Sequence, residues 1–190
     1  PIDPALKVHT GWDLGISDSM SIWLFQAIGK EIRLIGYYEN NGKGMEHYIQ
    51  WLNQYAASNG VSMGIHLAPH DIEVRELSTG RSRKDTARDM GLAFRTVQRP
   101  RTKAESIQAV RRMFPRFWID EERAEHGMNC IASYHREWDE KRSCFRDAPV
   151  HDWASHGADA LQTLALGWQE SMISGMRPQT TQAKVSFSVF

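Results

Sequence analysis

The sequence predicts an α/β domain with a mixed central sheet flanked by helices. Three observations carry this. The first forty residues hold three successive strand-like runs joined by tight turns. From Met45 onward the apolar spacing alternates between helical and strand periods, as it does when later strands arrive through helices. The last strong element, Trp153 to Met172, is a long apolar helix suited to packing on the sheet.

The first run, Val8-His9-Thr10-Gly11-Trp12-Asp13-Leu14, is read as a strand with one acid, Asp13, in its middle. Met20 to Ala27 and Glu31 to Glu39 alternate apolar and polar residues around Ile28-Gly29-Lys30, a hairpin signal. The first three strands are therefore expected as an antiparallel meander. Asn40-Asn41-Gly42-Lys43-Gly44 is a turn. Met45, Tyr48, Ile49, Leu52, Tyr55 and Ala56 then recur at helical spacing. Met63 to Ala68 forms a strand stopped by Pro69, with Asp71 just past its end. A strand, a helical crossover and a strand make parallel pairing the expected outcome.

Residues 72–83 read as a loop, followed by a short helix from Lys84 to Met90 and a strand at Phe94-Arg95-Thr96-Val97. Thr102 and Glu105 form a capping box for a helix striped by Ile107, Val110 and Phe114. Phe117-Trp118-Ile119 is a short strand. A helix is expected from about Glu121 to Tyr134, and a hairpin from Glu137 to Phe145. Beyond residue 173 the chain is rich in Thr, Gln and Ser without periodicity, so the domain is expected to be 1–173 with a loose or surface-packed tail over 174–190.

Composition narrows the function classes. The 190 residues suit one domain with a sizeable core. Lys+Arg and Asp+Glu balance at 23 each, so any nucleic-acid binding must come from local patches. Cys130 and Cys144 have no metal-type spacing and do not make a disulfide scaffold, which favours a reducing cytoplasm. No apolar run reaches membrane-spanning length, and there is no signal-peptide pattern. The chain opens on Pro1, as expected of a domain cut from a longer protein or of a processed product.

Three acidic sites stand out: Asp13, Asp71, and the group His151-Asp152…His156…Asp159 at the start of the last helix. A carboxylate in a strand is costly to desolvate without a partner. On a helical wheel, positions 152, 156, 159 and 163 fall within roughly a 60° arc, beside the stripe of Trp153, Gly157, Ala160, Leu161, Leu164 and Trp168. His156 and Asp159 thus lie at the edge of a buried face. Carboxylates from two strands and a helix can converge on hard cations, and oxygen ligation suits Mg²⁺ or Mn²⁺. Two such ions about 4 Å apart clamp the attacking and leaving oxygens of a phosphodiester displacement.

Plainer roles stand beside these. Asp13 can cap the turn before Gly15, Asp71 can be a turn residue after Pro69, and Asp152 has the place of an N-cap. Asp159 can face solvent, His156 can serve a structural hydrogen bond, and Asp18 fits a loop-capping group near the metal ligands. Arg81, Arg83 and Lys84, and Arg99, Arg101 and Lys103, are basic clusters beside strand ends. They suit solvated loops or contacts to a phosphate backbone.

Gly11-Trp12-Asp13-Leu14-Gly15-Ile16-Ser17-Asp18-Ser19, Ala68-Pro69-His70-Asp71 and His156-Gly157-Ala158-Asp159-Ala160-Leu161, in this order and spacing, resemble the ribonuclease-H-like superfamily. More narrowly, they resemble the C-terminal nuclease domain of the large terminase subunit of tailed bacteriophages. The resemblance runs from about Val8 to Trp168. It implies two-metal endonuclease cleavage of concatemeric double-stranded viral DNA during genome packaging, in the cytoplasm of the infected bacterium. By resemblance Asp13, Asp71 and Asp159 match the acidic ligands of two Mg²⁺ or Mn²⁺ ions, and His156 matches an auxiliary position. The implied partners are DNA, an N-terminal packaging ATPase domain, the portal protein and the small terminase subunit. No Gly-x-x-x-x-Gly-Lys-Ser/Thr loop occurs here, so the ATPase would lie outside this chain.

Other readings compete. Asp13-Leu14-Gly15-Ile16-Ser17-Asp18-Ser19 also resembles the phosphate loop of actin-like ATP-binding domains, but those need a second similar half for which the chain has no room. A resolvase or integrase-type nuclease of the same superfamily is an alternative; the His156-to-Leu161 segment favours the terminase.

Overall fold

A computed structural model describes residues 1–15, 19–75 and 80–169. Asp18 and the expected tail over 174–190 lie outside the described residues. The elements are strands β1 (Val8–Asp13), β2 (Ser19–Ile28), β3 (Glu31–Asn41), β4 (Met63–Pro69), β5 (Phe94–Val97), β6 (Phe117–Ile119), β7 (Trp138–Asp139) and β8 (Cys144–Phe145). The helices are α1 (Met45–Asn59), α2 (Arg83–Asp89), α3 (Lys103–Met113), α4 (Glu125–Ser133) and α5 (Trp153–Gly167). Among the described residues the main sheet has the order β5-β4-β1-β2-β3-β6. β1, β2 and β3 pair antiparallel, while β4 joins β1, β5 joins β4 and β6 joins β3 in parallel. The expected mixed α/β sheet is therefore present, and β7–β8 is the expected hairpin.

Hydrophobic burial on both faces holds the sheet. One cluster gathers Trp12, Ile22, Leu24, Tyr48 and Leu52 under α1. The other gathers Trp23, Phe25, Leu34, Leu67, Leu161 and Leu164 under α5. Strands covered on both sides should be apolar throughout, and β2 is buried from Met20 to Ala27. Gly11 permits a close helix–sheet contact: a Cβ there would stand 2.7 Å from Leu164 Cβ, so only hydrogen lets α5 settle on β1.

A polar relay couples the two strands that flank the site. Trp12 Nε1 donates to Thr10 Oγ1 at 2.7 Å, and that hydroxyl shares a hydrogen bond of 2.7 Å with His66 Nδ1. Beside it the Ile65 N–H donates to His9 Nδ1 at 3.0 Å. His9 Nδ1 accepts from a backbone donor and so carries no proton. Burial pushes the pKa of both imidazoles down to about 4.

Several boundaries differ from expectation. Asp13 is the last residue of β1 rather than its middle. Asp71 sits in a 3-10 turn, His70–Glu73, rather than an open loop. The helix expected from Glu121 starts at Glu125; the Arg123 N–H binds Asp120 Oδ1, holding 121–124 as turns. α5 ends at Gly167, because Trp168 leaves the helix in an extended conformation to pack on His9 and Phe25 at ring separations of 4.7 and 5.0 Å. Trp153, placed by the wheel on the apolar stripe, is instead 51% exposed.

Candidate metal centre

The register of β1 on its neighbours builds the site. Thr10 and Gly11 face His66 and Leu67 of β4. Continued for two residues, that register brings β1 to its end at Asp13 level with Pro69, two residues before Asp71. Both acids thus stand at the carboxyl ends of adjacent parallel strands, where open α/β sheets place ligands. α5 crosses the same edge. The Ser21 hydroxyl of β2 donates to the His156 carbonyl at 2.8 Å, and Trp23 Nε1 donates to the Gly157 carbonyl at 2.8 Å. These bonds, with the Gly11 contact, fix the helix so that His156 and Asp159 face the strand ends.

His156 Nδ1 lies 3.4 Å from Asp13 Oδ2. Among the described residues this ring, rather than a turn N–H, is the partner of Asp13. Burial pushes the Asp13 carboxyl above the ordinary range. The His156 hydrogen bond opposes this, and the charges of Asp159 and Asp71 add to it. Asp71 and Asp159 are thus each close enough to Asp13 to repel it. Asp71 Oδ1 is buried, and no donor among the described residues reaches it. A buried carboxylate oxygen without a donor is costly, and a cation is the partner this donor set lacks. An all-carboxylate set fits a hard divalent ion. Among the described residues the three do not close into a single cage, since their carboxylate oxygens do not all lie within 4.8 Å of one another.

Asp159 has a partner that the sequence reading assigned elsewhere. Lys103, expected among the phosphate contacts, turns inward and donates to Asp159 Oδ1 at 2.5 Å. Burial pulls the Lys103 ammonium down, but the charge and hydrogen bond of Asp159 outweigh it, and the net direction is upward. Gln162 Nε2 donates to the same oxygen at 3.1 Å, and Ser106 holds the Gln162 amide. The capping box at Thr102 and Glu105 is what starts α3 where Lys103 can reach the site: Thr102 Oγ1 accepts the Glu105 N–H, and Glu105 Oε2 accepts the Arg101 N–H. No periodicity in the sequence announces a contact between residues 56 positions apart.

The remaining candidates disperse. Asp152 Oδ1 caps α5 by accepting the Ala154 N–H at 3.0 Å, the plainer of its two roles. Arg81 pairs with Asp89. Lys84 bonds Glu73 at 2.7 Å and the Thr96 hydroxyl at 2.8 Å. Arg83 is half-buried at the start of α2, and Arg99 and Arg101 are exposed beyond the end of β5.

The architecture is ribonuclease-H-like, and in particular it is the fold of large-terminase nuclease domains. It is similar to the large terminase of a thermophilic bacteriophage, with a TM-score of 0.64 and 16% identity over 87% of this chain and 40% of that one. It is similar to the P22 large terminase nuclease domain, with a TM-score of 0.60 and 15% identity over 92% of this chain and 84% of that one. It is also similar to the nuclease domain of the large terminase from bacteriophage SPP1, solved with bound Mn, with a TM-score of 0.55 and 12% identity over 83% of this chain and 84% of that one. The chain thus spans about 40% of the thermophilic-phage protein and most of the separately solved nuclease domains. No protein-family model and no curated protein matches the sequence. The resemblance read from three short motifs therefore holds across the fold.

Proposed function

We propose that this chain is the metal-dependent endonuclease domain of a viral DNA-packaging motor, cutting concatemeric double-stranded DNA by hydrolysing phosphodiester bonds. The observation that carries the reading is the meeting of Asp13, Asp71 and Asp159 at one sheet edge, with Asp71 Oδ1 buried and without a donor among the described residues. Asp13, Asp71 and Asp159 would hold two Mg²⁺ or Mn²⁺ ions, which supply Lewis-acid activation of water and charge stabilisation at the scissile phosphate. The Mn in the SPP1 nuclease supports a divalent ion by analogy.

The chain's own residues contribute the rest. Asp13 is desolvated and feels the charges of both other acids. His156 orients Asp13 through Nδ1 and is placed to exchange a proton at the reaction's edge. Lys103 bonds Asp159 Oδ1 and would compete with the ion for that oxygen. Arg83, Arg99 and Arg101 would be the residues that meet the DNA backbone. The partners proposed are DNA, an N-terminal packaging ATPase, the portal protein and the small terminase subunit, in the cytoplasm of an infected bacterium.

Plasmid cleavage tests the reading. With Mn²⁺ or Mg²⁺ the chain should nick and linearise plasmid DNA with little sequence preference, and EDTA should stop it. Cleavage that persists in EDTA would overturn the metal model, and ATP hydrolysis by the chain would favour the actin-like alternative.

A further inference from the structure

We propose that Glu39, His126 and Cys130 form a second metal site, for a borderline-soft transition ion such as Zn²⁺, on the flank of the carboxylate centre. Among the described residues these are the three metal-ligating side chains whose donor atoms all lie within 4.8 Å of one another. They come from two elements that the fold fixes independently. His126 and Cys130 are one turn apart on α4, so both project from the same face. Glu39 is near the end of β3. It pairs with Ser21, which pairs with Asp13. Glu39 therefore stands two strands from Asp13, roughly 10 Å away by strand spacing.

The surroundings suit a held ion rather than a chance cluster. The Tyr37 hydroxyl donates to Glu39 Oε2 at 2.5 Å, orienting the carboxylate as an outer partner does for a metal ligand. The His126 ring is placed between Tyr37 and Trp153, at centroid separations of 5.7 and 6.0 Å, and its Nε2 is 3.4 Å from Glu39 Oε2. Cys130 is fully buried beneath Gly157, where an added Cβ would stand 2.7 Å from Cys130 Cβ. That contact brings the thiol within reach of β3.

Thiolate, imidazole and carboxylate together match Zn²⁺ or Co²⁺ and do not match the hard ions of an all-carboxylate site. Tetrahedral bonds of about 2.0–2.3 Å need donor atoms somewhat closer than the present separation, an approach His126 can supply because its side chain is 57% exposed. Binding would replace the Cys130 thiol proton, released to solvent, with a metal–sulfur bond. Three protein ligands would leave a fourth position for water. The bound ion would tie β3 to α4 beneath the amino end of α5, the helix that carries His156 and Asp159.

The test is Co²⁺ titration of the 190-residue chain, read by absorption, because thiolate ligation gives a near-ultraviolet charge-transfer band that carboxylate ligation cannot. The band should rise with one equivalent, disappear in Cys130→Ser, and persist in both Cys144→Ser and Asp13→Asn. Zn²⁺ should displace the Co²⁺ that produces it. Glu39→Gln and His126→Gln, both off the apolar core, should weaken Zn²⁺ binding by about tenfold or more. No band, or one that survives Cys130→Ser, overturns the site. If Cys130→Ser fails to fold by circular dichroism, unchanged Zn²⁺ affinity in the other two variants overturns it instead. Nuclease activity plays no part in this readout, so the proposal stands or falls separately from the nuclease reading.

Discussion

Lys103 Nζ lies 2.5 Å from Asp159 Oδ1, so the third carboxylate of the centre already has a cation beside it. A divalent ion at Asp159 must share that oxygen's charge with the ammonium or displace it.

Lys103→Ala should therefore tighten Mn²⁺ binding. The pair is partly exposed, at 38% and 29%, so the competing attraction is on the order of 1 kcal/mol, or about fivefold in affinity. Isothermal titration with Mn²⁺ checks this. A weaker Mn²⁺ affinity in the variant would show instead that Lys103 positions Asp159 for the ion.

Asp13→Asn, Asp71→Asn and Asp159→Asn should each abolish plasmid cleavage and leave the fold intact by circular dichroism. In the unsubstituted chain Mn²⁺ should raise the melting temperature, because an ion that binds only the folded state stabilises it. EDTA should reverse the rise, and Asp13→Asn should lack it. An Asp159→Asn variant that cut normally would move the third ligand to Asp152.

Gly11→Ala tests the helix–sheet contact that brings the acids together. Its Cβ would meet Leu164 Cβ at 2.7 Å and the Ala160 carbonyl at 3.1 Å. α5 must then shift, at a cost of roughly 1–3 kcal/mol. Denaturant unfolding should report the loss of stability, and cleavage should fall further than stability alone explains, because His156 and Asp159 ride on the same helix.

Acid should destabilise the domain through His9 and His66. Unfolded, each ring titrates near 6.5; folded, burial brings each to about 4. Between those values only the unfolded chain binds the extra protons. Stability is therefore full above about pH 6.5 and falls as the pH drops toward 4, by on the order of 2–3 kcal/mol for each ring. Urea unfolding at pH 7, 5.5 and 4.5 should show the fall, and His66→Gln should flatten it. An equal slope in the variant would assign the acid sensitivity to other groups.

Much of this was legible in the chain itself. The turn at Ile28-Gly29-Lys30, the stop at Pro69 and the capping box at Thr102 act locally, so the strand and helix sequence could be read from neighbours in the chain. Asp13, Asp71 and Asp159 stood out because each is an acid beside apolar runs. Errors fell where a distant contact overrode local preference: Trp168 leaves its helix for His9 and Phe25.

The sequence by itself determined the order of elements, the mixed sheet and the acids worth watching, because periodicity and turn chemistry are local. Tertiary structure alone decided the partners. Lys103 reaches Asp159 across 56 residues, Thr10 reaches His66 across 56, and the Asp13–Ser21–Glu39 row sets a Glu-His-Cys cluster beside the carboxylates. Spacing along the chain carries no record of such meetings. They follow from strand register and from how closely α5 can approach a glycine.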